Sequence, residues 1–154
     1  MQQYFVTALN NEEVVFSAEQ EFHLQRVMRC QPKDLVVVAY RGRRYLVELK
    51  QVQPKVLGII KEALPQLRQD LFVSLFAVLL KKEKWEYLLQ KAVEFGAGII
   101  VPCYSKHCVV RLAAEDVEKK LRRWNKITLE ASEQCHRVTP VIVERPLKIK
   151  DVAD

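Results

Sequence analysis

FVSLFAVLLKKEKWEYLLQKAVEFGAGIIVP, residues 72–102, is the stretch whose reading decides the fold. It opens with an apolar run, Phe72 to Leu80, broken only by Ser74, the pattern of a strand buried on both faces. Trp85, Leu88, Leu89, Ala92 and Val93 then fall at i, i+3, i+4, i+7 and i+8, which predicts an amphipathic helix. Gly96 stands where a helix C-terminal cap belongs. A second apolar strand is predicted over Gly98 to Pro102. Strand, helix and strand in so few residues form a βαβ unit with a right-handed crossover.

Downstream, a long helix is predicted from about Ala114 to His136, with Val117, Leu121, Trp124, Thr128, Ala131 and Cys135 as its inner stripe. At 1.5 Å per residue it would be about 35 Å long. Val141 to Val143 is a third strand candidate. Upstream the grammar changes. Short β candidates recur at Gln3–Val6, Val14–Phe16, Leu35–Tyr40, Tyr45–Val52 and Val56–Ile60, with a tight turn at Arg41-Gly42, which suggests a small barrel or sandwich. One helix interrupts them. Ser17 and Gln20 form a capping box, and the helix is expected to reach about Arg29 with Phe22, Val27 and Met28 facing inward. The expected division is residues 1–68 and 70–154, with the boundary in Lys61 to Asp70.

The 154 residues carry 25 Lys plus Arg against 19 Asp plus Glu, a net charge of +6. Hydrophobic residues make up 49% and charged residues 29%, which excludes a mainly disordered chain. The longest apolar run falls far short of the ~20 residues of a membrane helix. The N-terminus lacks the basic start and apolar core of a secretory signal, so a cytoplasmic location is expected. With four glycines and no GxGxxG or P-loop, a self-contained nucleotide site of those types is not expected. Cys30, Cys103, Cys108 and Cys135 form no CxxC pair. Together with His107 and His136 they match no common zinc spacing, so buried thiols are expected and no metal.

Three groups carry candidate chemistry. Arg26, Arg29, Arg41, Arg43 and Arg44 could track a phosphate backbone if the helix end and the 41–42 turn lie close; otherwise they are solvated surface. Lys81, Lys84 and Glu86 sit where the first apolar strand ends and its helix begins, a place where open α/β sheets bind ligands. Glu130, Gln134 and Arg137 fall at i, i+4 and i+7 on the long helix. Together they could hold a planar polar ligand or form a surface ion pair. Lys119, Lys120, Arg122, Arg123 and Lys126 read as a solvated helix face.

KKEKWEYLLQKAVEFGAGIIVP resembles the K-G-x-K-x-E-x-x-x-Q-K-x-x-E-L-G-x-x-x-I-x-P block of the bacterial 16S ribosomal RNA uracil-N3 methyltransferases, the small-subunit methyltransferase E family. RRWNKITLEASEQCHR resembles that family's R-W-x-K-I-x-x-E-A-x-E-Q-x-x-R block, and HLQRVMR its H-x-x-x-V-L/M-R segment. The three blocks occur in the family's order and span nearly the whole chain.

The resemblance implies an N-terminal PUA-like β-barrel over residues 1–68, then the N-terminal part of a SPOUT-class α/β domain over 70–154. It implies methyl transfer from S-adenosylmethionine to N3 of a uridine in 16S ribosomal RNA by a cytoplasmic homodimer acting on the small ribosomal subunit. The family's G-P-E-G-G and L-R-x-E-T-A segments, which build the cofactor knot, do not occur in this sequence. The chain is therefore expected to be truncated before the knot, to hold no cofactor-binding residue and to be inactive alone. Lys82 stands where the family has Gly, His107 where it has Arg, Val138 where it has Asn, and Phe22 where it has His. Arg137 ends the second block and is expected to favour the uracil anion, with Glu130 and Gln134 orienting it. Arg26, Arg29, Arg41, Arg43, Arg44, Lys81 and Lys84 are the expected RNA contacts. The alternative is a non-catalytic RNA-binding or dimerisation module derived from the same family.

Overall fold

The computed structural model describes residues 1–65 and 71–152. The chain divides into two compact units, Met1–Arg68 with His136–Thr139, and Gln69–Cys135 with Pro140–Asp154. The expected boundary, residues 61–70, falls partly outside the described residues.

The first unit is built on β1 (Gln3–Phe5), β2 (Ala8–Asn10), β3 (Glu13–Val15), β4 (Leu35–Tyr40), β5 (Arg43–Gln51) and β6 (Leu57–Ala63). They form one sheet in the order β1-β4-β5-β6-β3-β2, antiparallel except where β1 runs parallel to β4. Among the described residues no ladder joins β1 to β2, so the expected barrel is corrected to an open sheet. The sheet is nonetheless strongly curled. Only Val6 and Thr7 separate β1 from β2, which limits Phe5 and Ala8 to about 11 Å apart. The edges of a flat six-stranded sheet would lie about 24 Å apart. The chain crosses that gap in two residues.

Alternation places Val47 and Leu49 of β5 at 0% exposure, packed with Tyr4, Val36, Val38 and Phe16. The β4–β5 turn has Arg41 at φ +47° and Gly42 at φ +75°, the two left-handed residues that a type I′ hairpin requires. The helix α1 (Ala18–Phe22) starts at the expected capping box. The Gln20 amide donates to Ser17 Oγ at 3.2 Å, and the Ser17 amide donates to Gln20 Oε1 at 3.0 Å. The helix then widens into a π-helical turn, His23–Val27, closed by Met28 N–H donating to His23 C=O. Phe22, Val27 and Met28, expected to face inward, are exposed, and Leu24 enters the core instead. An i→i+5 turn carries an extra residue, so the inward stripe slips from the α-helical spacing assumed for it.

The second unit contains β7 (Val73–Val78), α2 (Lys82–Glu94), β8 (Ala97–Tyr104), α3 (Ala114–Gln134), β9 (Ile142–Val143) and β10 (Leu147–Lys148). β8 is central. β7 lies along one side of it and β9 and β10 along the other, all parallel. Trp85, Leu89 and Val93 bury the inner face of α2, and Gly96 at φ +94° follows its last turn. The Trp85 and Trp124 rings meet at 5.5 Å between centroids.

The α3 face against β9 is polar. Thr128 Oγ1 donates to Val141 C=O at 2.7 Å, and Val141 N–H donates to Ser132 Oγ at 3.1 Å. Asn125 Nδ2 donates to Val143 C=O at 3.1 Å and Asn125 Oδ1 accepts from Val143 N–H at 2.9 Å. These side chains satisfy the backbone groups of a short strand that would otherwise be buried unpaired.

The β7 expectation is corrected. Val73 is 49% exposed and Phe76 45%, one on each face of the strand, because β7 is the edge of the sheet among the described residues.

Candidate functional site

Arg26, Arg29, Arg41, Arg43 and Arg44 do not converge. Arg29 (φ +52°) precedes the Gln31–Asp34 turn, whose Lys33 N–H donates to Leu49 C=O beside the start of β4. Arg41 and Arg43 flank the hairpin at the other end of β4. Six residues of strand span about 17–20 Å, so Arg29 sits at the end of the sheet opposite Arg41, Arg43 and Arg44. Arg26, one residue after Gln25, falls on Arg29's side, since Gln25 Nε2 donates to Val52 C=O just past β5. Arg26, Arg29, Arg41 and Arg43 are exposed. Arg44 is half-buried and donates from Nη2 to Pro65 C=O at 3.2 Å, so it serves the fold. The Arg41 guanidinium lies 5.2 Å from the Tyr40 ring centre.

The expected Glu130–Gln134–Arg137 stripe is broken. α3 ends at Gln134, Cys135 caps it, and His136 turns left-handed at φ +53°. Arg137 belongs to the first unit, whereas Glu130 and Gln134 are exposed on the helix of the second. Arg137 C=O is held by Gln3 Nε2 at 2.7 Å, from a glutamine only 1% exposed. Burial, with the chain's amino group and Arg44 adding to it, pushes the His136 imidazole below its ordinary value.

Glu86 is engaged with α3. Arg123 grips it with two bonds, Nε to Oε1 at 2.7 Å and Nη2 to Oε2 at 3.0 Å. Those hydrogen bonds hold the Glu86 carboxyl below the usual carboxylate range. The predicted solvated face of α3 thus contributes Arg123 to a link with α2. Lys81 caps α2 and Lys84 lies in its first turn, both exposed. Lys84 borders a shallow groove whose walls are Leu75, Leu80, Tyr87 and Phe95.

His23, expected to be an ordinary helix residue, has its Nδ1 2.8 Å from the Tyr4 hydroxyl. Among the described residues no three His, Cys, Asp or Glu side chains gather as metal ligands. Burial raises the thiols of Cys103 and Cys30, with Asp34 adding to the second. Neither is an activated nucleophile.

One cleft was not anticipated. It lies in the second unit beyond Tyr104 and Lys148, has a volume of about 490 Å³, and is walled by Lys106, Arg111, Lys148 and Lys150 with Tyr104, Leu112 and Ile149. Its sequence signal, two basic pairs about 40 residues apart, is invisible until β8 and β10 are paired.

A family model described as RNA methyltransferase domain matches residues 67–154. The Ribosomal RNA small subunit methyltransferase E of Bacillus subtilis (strain 168) is 32% identical over 145 residues, which cover 89% of this chain and 57% of that protein. Its namesake in Mesomycoplasma hyopneumoniae (strain 232) is 32% identical over 129 residues, 84% of this chain and 56% of that protein. The chain thus spans a little over half the length of these curated relatives. A crystal structure of the Neisseria gonorrhoeae protein of that name, bound to S-adenosyl methionine, superposes with a TM-score of 0.87 at 24% identity. It covers 100% of this chain and 65% of that one.

Proposed function

Because the chain belongs to the RNA methyltransferase family, we propose that it forms the RNA-engaging part of an enzyme that methylates N3 of a uridine in 16S ribosomal RNA. One observation carries this reading. Relatives of a single name, small-subunit methyltransferase E, align over 82% to 92% of the chain. In this reading the curled sheet of the first unit serves as a PUA-like RNA-binding module. The parallel sheet of the second begins a SPOUT-class domain. The protein works on the small ribosomal subunit in the cytoplasm as a homodimer.

S-adenosylmethionine supplies an electrophilic methyl group when bound. It carries a sulfonium and an ammonium against one carboxylate. The 490 Å³ cleft is walled by four cations and no carboxylate, so like charges oppose that cofactor. The groove beside α2 is almost wholly apolar, with Glu83, Lys84 and Lys91 among its lining residues. Neither fits the cofactor.

What this chain contributes is binding and orientation. N3 of uracil must lose its proton as the methyl arrives, and a guanidinium beside the uracil oxygens favours the anion. Arg137 is proposed for that role, on a backbone that Gln3 anchors. Glu130 and Gln134, four residues apart on α3, are proposed as substrate contacts in their own right. Arg41 and Arg43 are proposed to hold phosphates at the hairpin end of the first unit, Arg26 and Arg29 at the opposite end, and Lys81 and Lys84 in the second unit. The second reading is an RNA-binding module without catalysis of its own.

The test is methyl transfer by the protein in its full reading frame to small subunits lacking the modification, mapped by reverse-transcription stops. A single new stop at a uridine, identified by mass as N3-methyluridine, is the expected result. Methyl incorporation at another base or atom overturns the specificity. Tight RNA binding with no incorporation transfers the chain to the second reading.

A further inference from the structure

Tyr104 and Lys148 are register partners at the C-terminal ends of the parallel strands β8 and β10, the side on which open parallel sheets form ligand crevices. The loop leaving β8 is fastened rather than loose. Cys108 N–H donates to Ser105 C=O at 3.2 Å, the Cys108 thiol lies 3.0 Å from Val110 C=O and 3.5 Å from Leu79 C=O, and Leu112 packs on the core. The 3-10 turn Ile149–Val152 follows β10 directly.

The charges of this cleft are one-sided. No carboxylate lines it, and among the described residues none of Lys106, Arg111, Lys148 and Lys150 is ion-paired. Elsewhere Lys50, Lys61, Lys91, Arg123 and Arg145 each meet a glutamate. Four cations around one hollow repel one another, and an anion in it relieves that repulsion. The other walls are Tyr104, Leu112 and Ile149, an aromatic ring beside two aliphatic chains. Flat apolar body and flanking negative charge together describe a nucleotide: bases stack on aromatic side chains while cations track the backbone. The volume of about 490 Å³ lies within the ~300–1,000 Å³ of small-ligand sites.

We propose that this cleft seats one nucleotide of a single-stranded RNA segment, its base against Tyr104, Leu112 and Ile149 and its flanking phosphodiesters on Lys106, Arg111, Lys148 and Lys150. The proposal rests on the RNA reading above and adds to it a further contact point in the second unit.

The experiment titrates the isotope-labelled 154-residue chain with a uridine hexanucleotide and, separately, with uridine 5′-monophosphate, following backbone amide shifts at two salt concentrations. The hexanucleotide should shift amides in residues 104–112 and 148–150. The double variant Arg111→Gln, Lys148→Gln should bind it at least ~10-fold more weakly, with a log-affinity against log-salt slope shallower by about 1.4, for two phosphates released. Arg111→Lys with Lys148→Arg should restore most of the affinity, and an unchanged tryptophan emission spectrum shows that each variant is folded. If the double variant binds like the parent and the shifts map elsewhere, the cleft falls and the RNA reading stands. Mononucleotide binding as tight as that of the hexanucleotide overturns the assignment to an RNA strand in favour of a free nucleotide. Absence of hexanucleotide binding to the parent overturns both.

Discussion

Val36, Val38, Val47 and Leu49 of the first unit are all 3% exposed or less, whereas Val73 and Phe76 of β7 in the second are 49% and 45% exposed, with Phe72 at 72% and Phe95 at 88%. The two sets are equally apolar in sequence. Curling decides the first case, because a sheet bent round Phe16 and Leu24 encloses its inner face. Edge position decides the second: β7 pairs only with β8, and α2 presents Tyr87 and Phe95 outward beside it. The first unit is complete in burial terms. The second buries its central strand, with Ile100 and Cys103 at 0% exposure, and leaves apolar side chains of its edge strand exposed.

The most severe test of that comparison is Leu24→Ala. The side chain is 0% exposed at the centre of the first core, so about 2–5 kcal/mol should be lost there. Trp85 and Trp124 both lie in the second unit and are the chain's two tryptophans. A urea titration should therefore show an early far-ultraviolet transition while tryptophan emission keeps its midpoint. If both signals shift together, the units fold as one and the comparison breaks.

Thr128→Val sharpens the other side. It deletes the hydroxyl that donates to Val141 C=O and leaves that buried carbonyl unpaired, costing about 1–3 kcal/mol. Tryptophan emission should report the loss, with hydrogen exchange quickened at residues 141–143.

The apolar face should matter for association more than for folding. Phe76→Lys with Phe95→Lys should shift sedimentation toward monomer and lower binding of an apolar dye severalfold. The tryptophan midpoint should move by no more than about 0.5 kcal/mol, as for surface substitutions. A large loss of stability would mean that these rings are part of the core.

The smallest effect separates the units by pH. His136 is held below the ordinary imidazole value, chiefly by burial. Its neutral form therefore favours the folded first unit. That contribution is fully present above about pH 6.5 and fades as pH falls through the lowered folded value. Glu86, held low by Arg123 in the second unit, contributes stability that fades only at more acid pH, below the ordinary glutamate value of about 4.3. Mild acid should therefore weaken the first unit alone, and His136→Asn, which tolerates the left-handed backbone, should abolish that sensitivity. Equal weakening of both units would reject the assignment.

Local patterns were legible wherever one element carries its own signal. The capping box of Ser17 and Gln20, the α2 stripe of Trp85, Leu89 and Val93, the glycine after it and the Trp124–Thr128–Ala131 face of α3 are all spacings within one helix, and the structure contains each. The helical stripe of Glu130, Gln134 and Arg137 does not form, because the helix is capped at Cys135 and the backbone turns left-handed at His136. Leu24 was missed because a π-helical turn leaves no mark in an α-helical stripe.

By itself the sequence determined the βαβ segment, the change of grammar between the units and the family, since these rest on periodicity and on motifs contiguous along the chain. Only the tertiary structure decided that the first sheet curls without closing, that β7 is an edge, that the arginines lie at opposite ends of β4, and that Lys106 and Arg111 share a cleft with Lys148 and Lys150. The physical reason is common to all four. Which strand lies beside which is set by long-range pairing and enclosure of apolar surface, and residues about 40 positions apart leave no periodic trace of meeting.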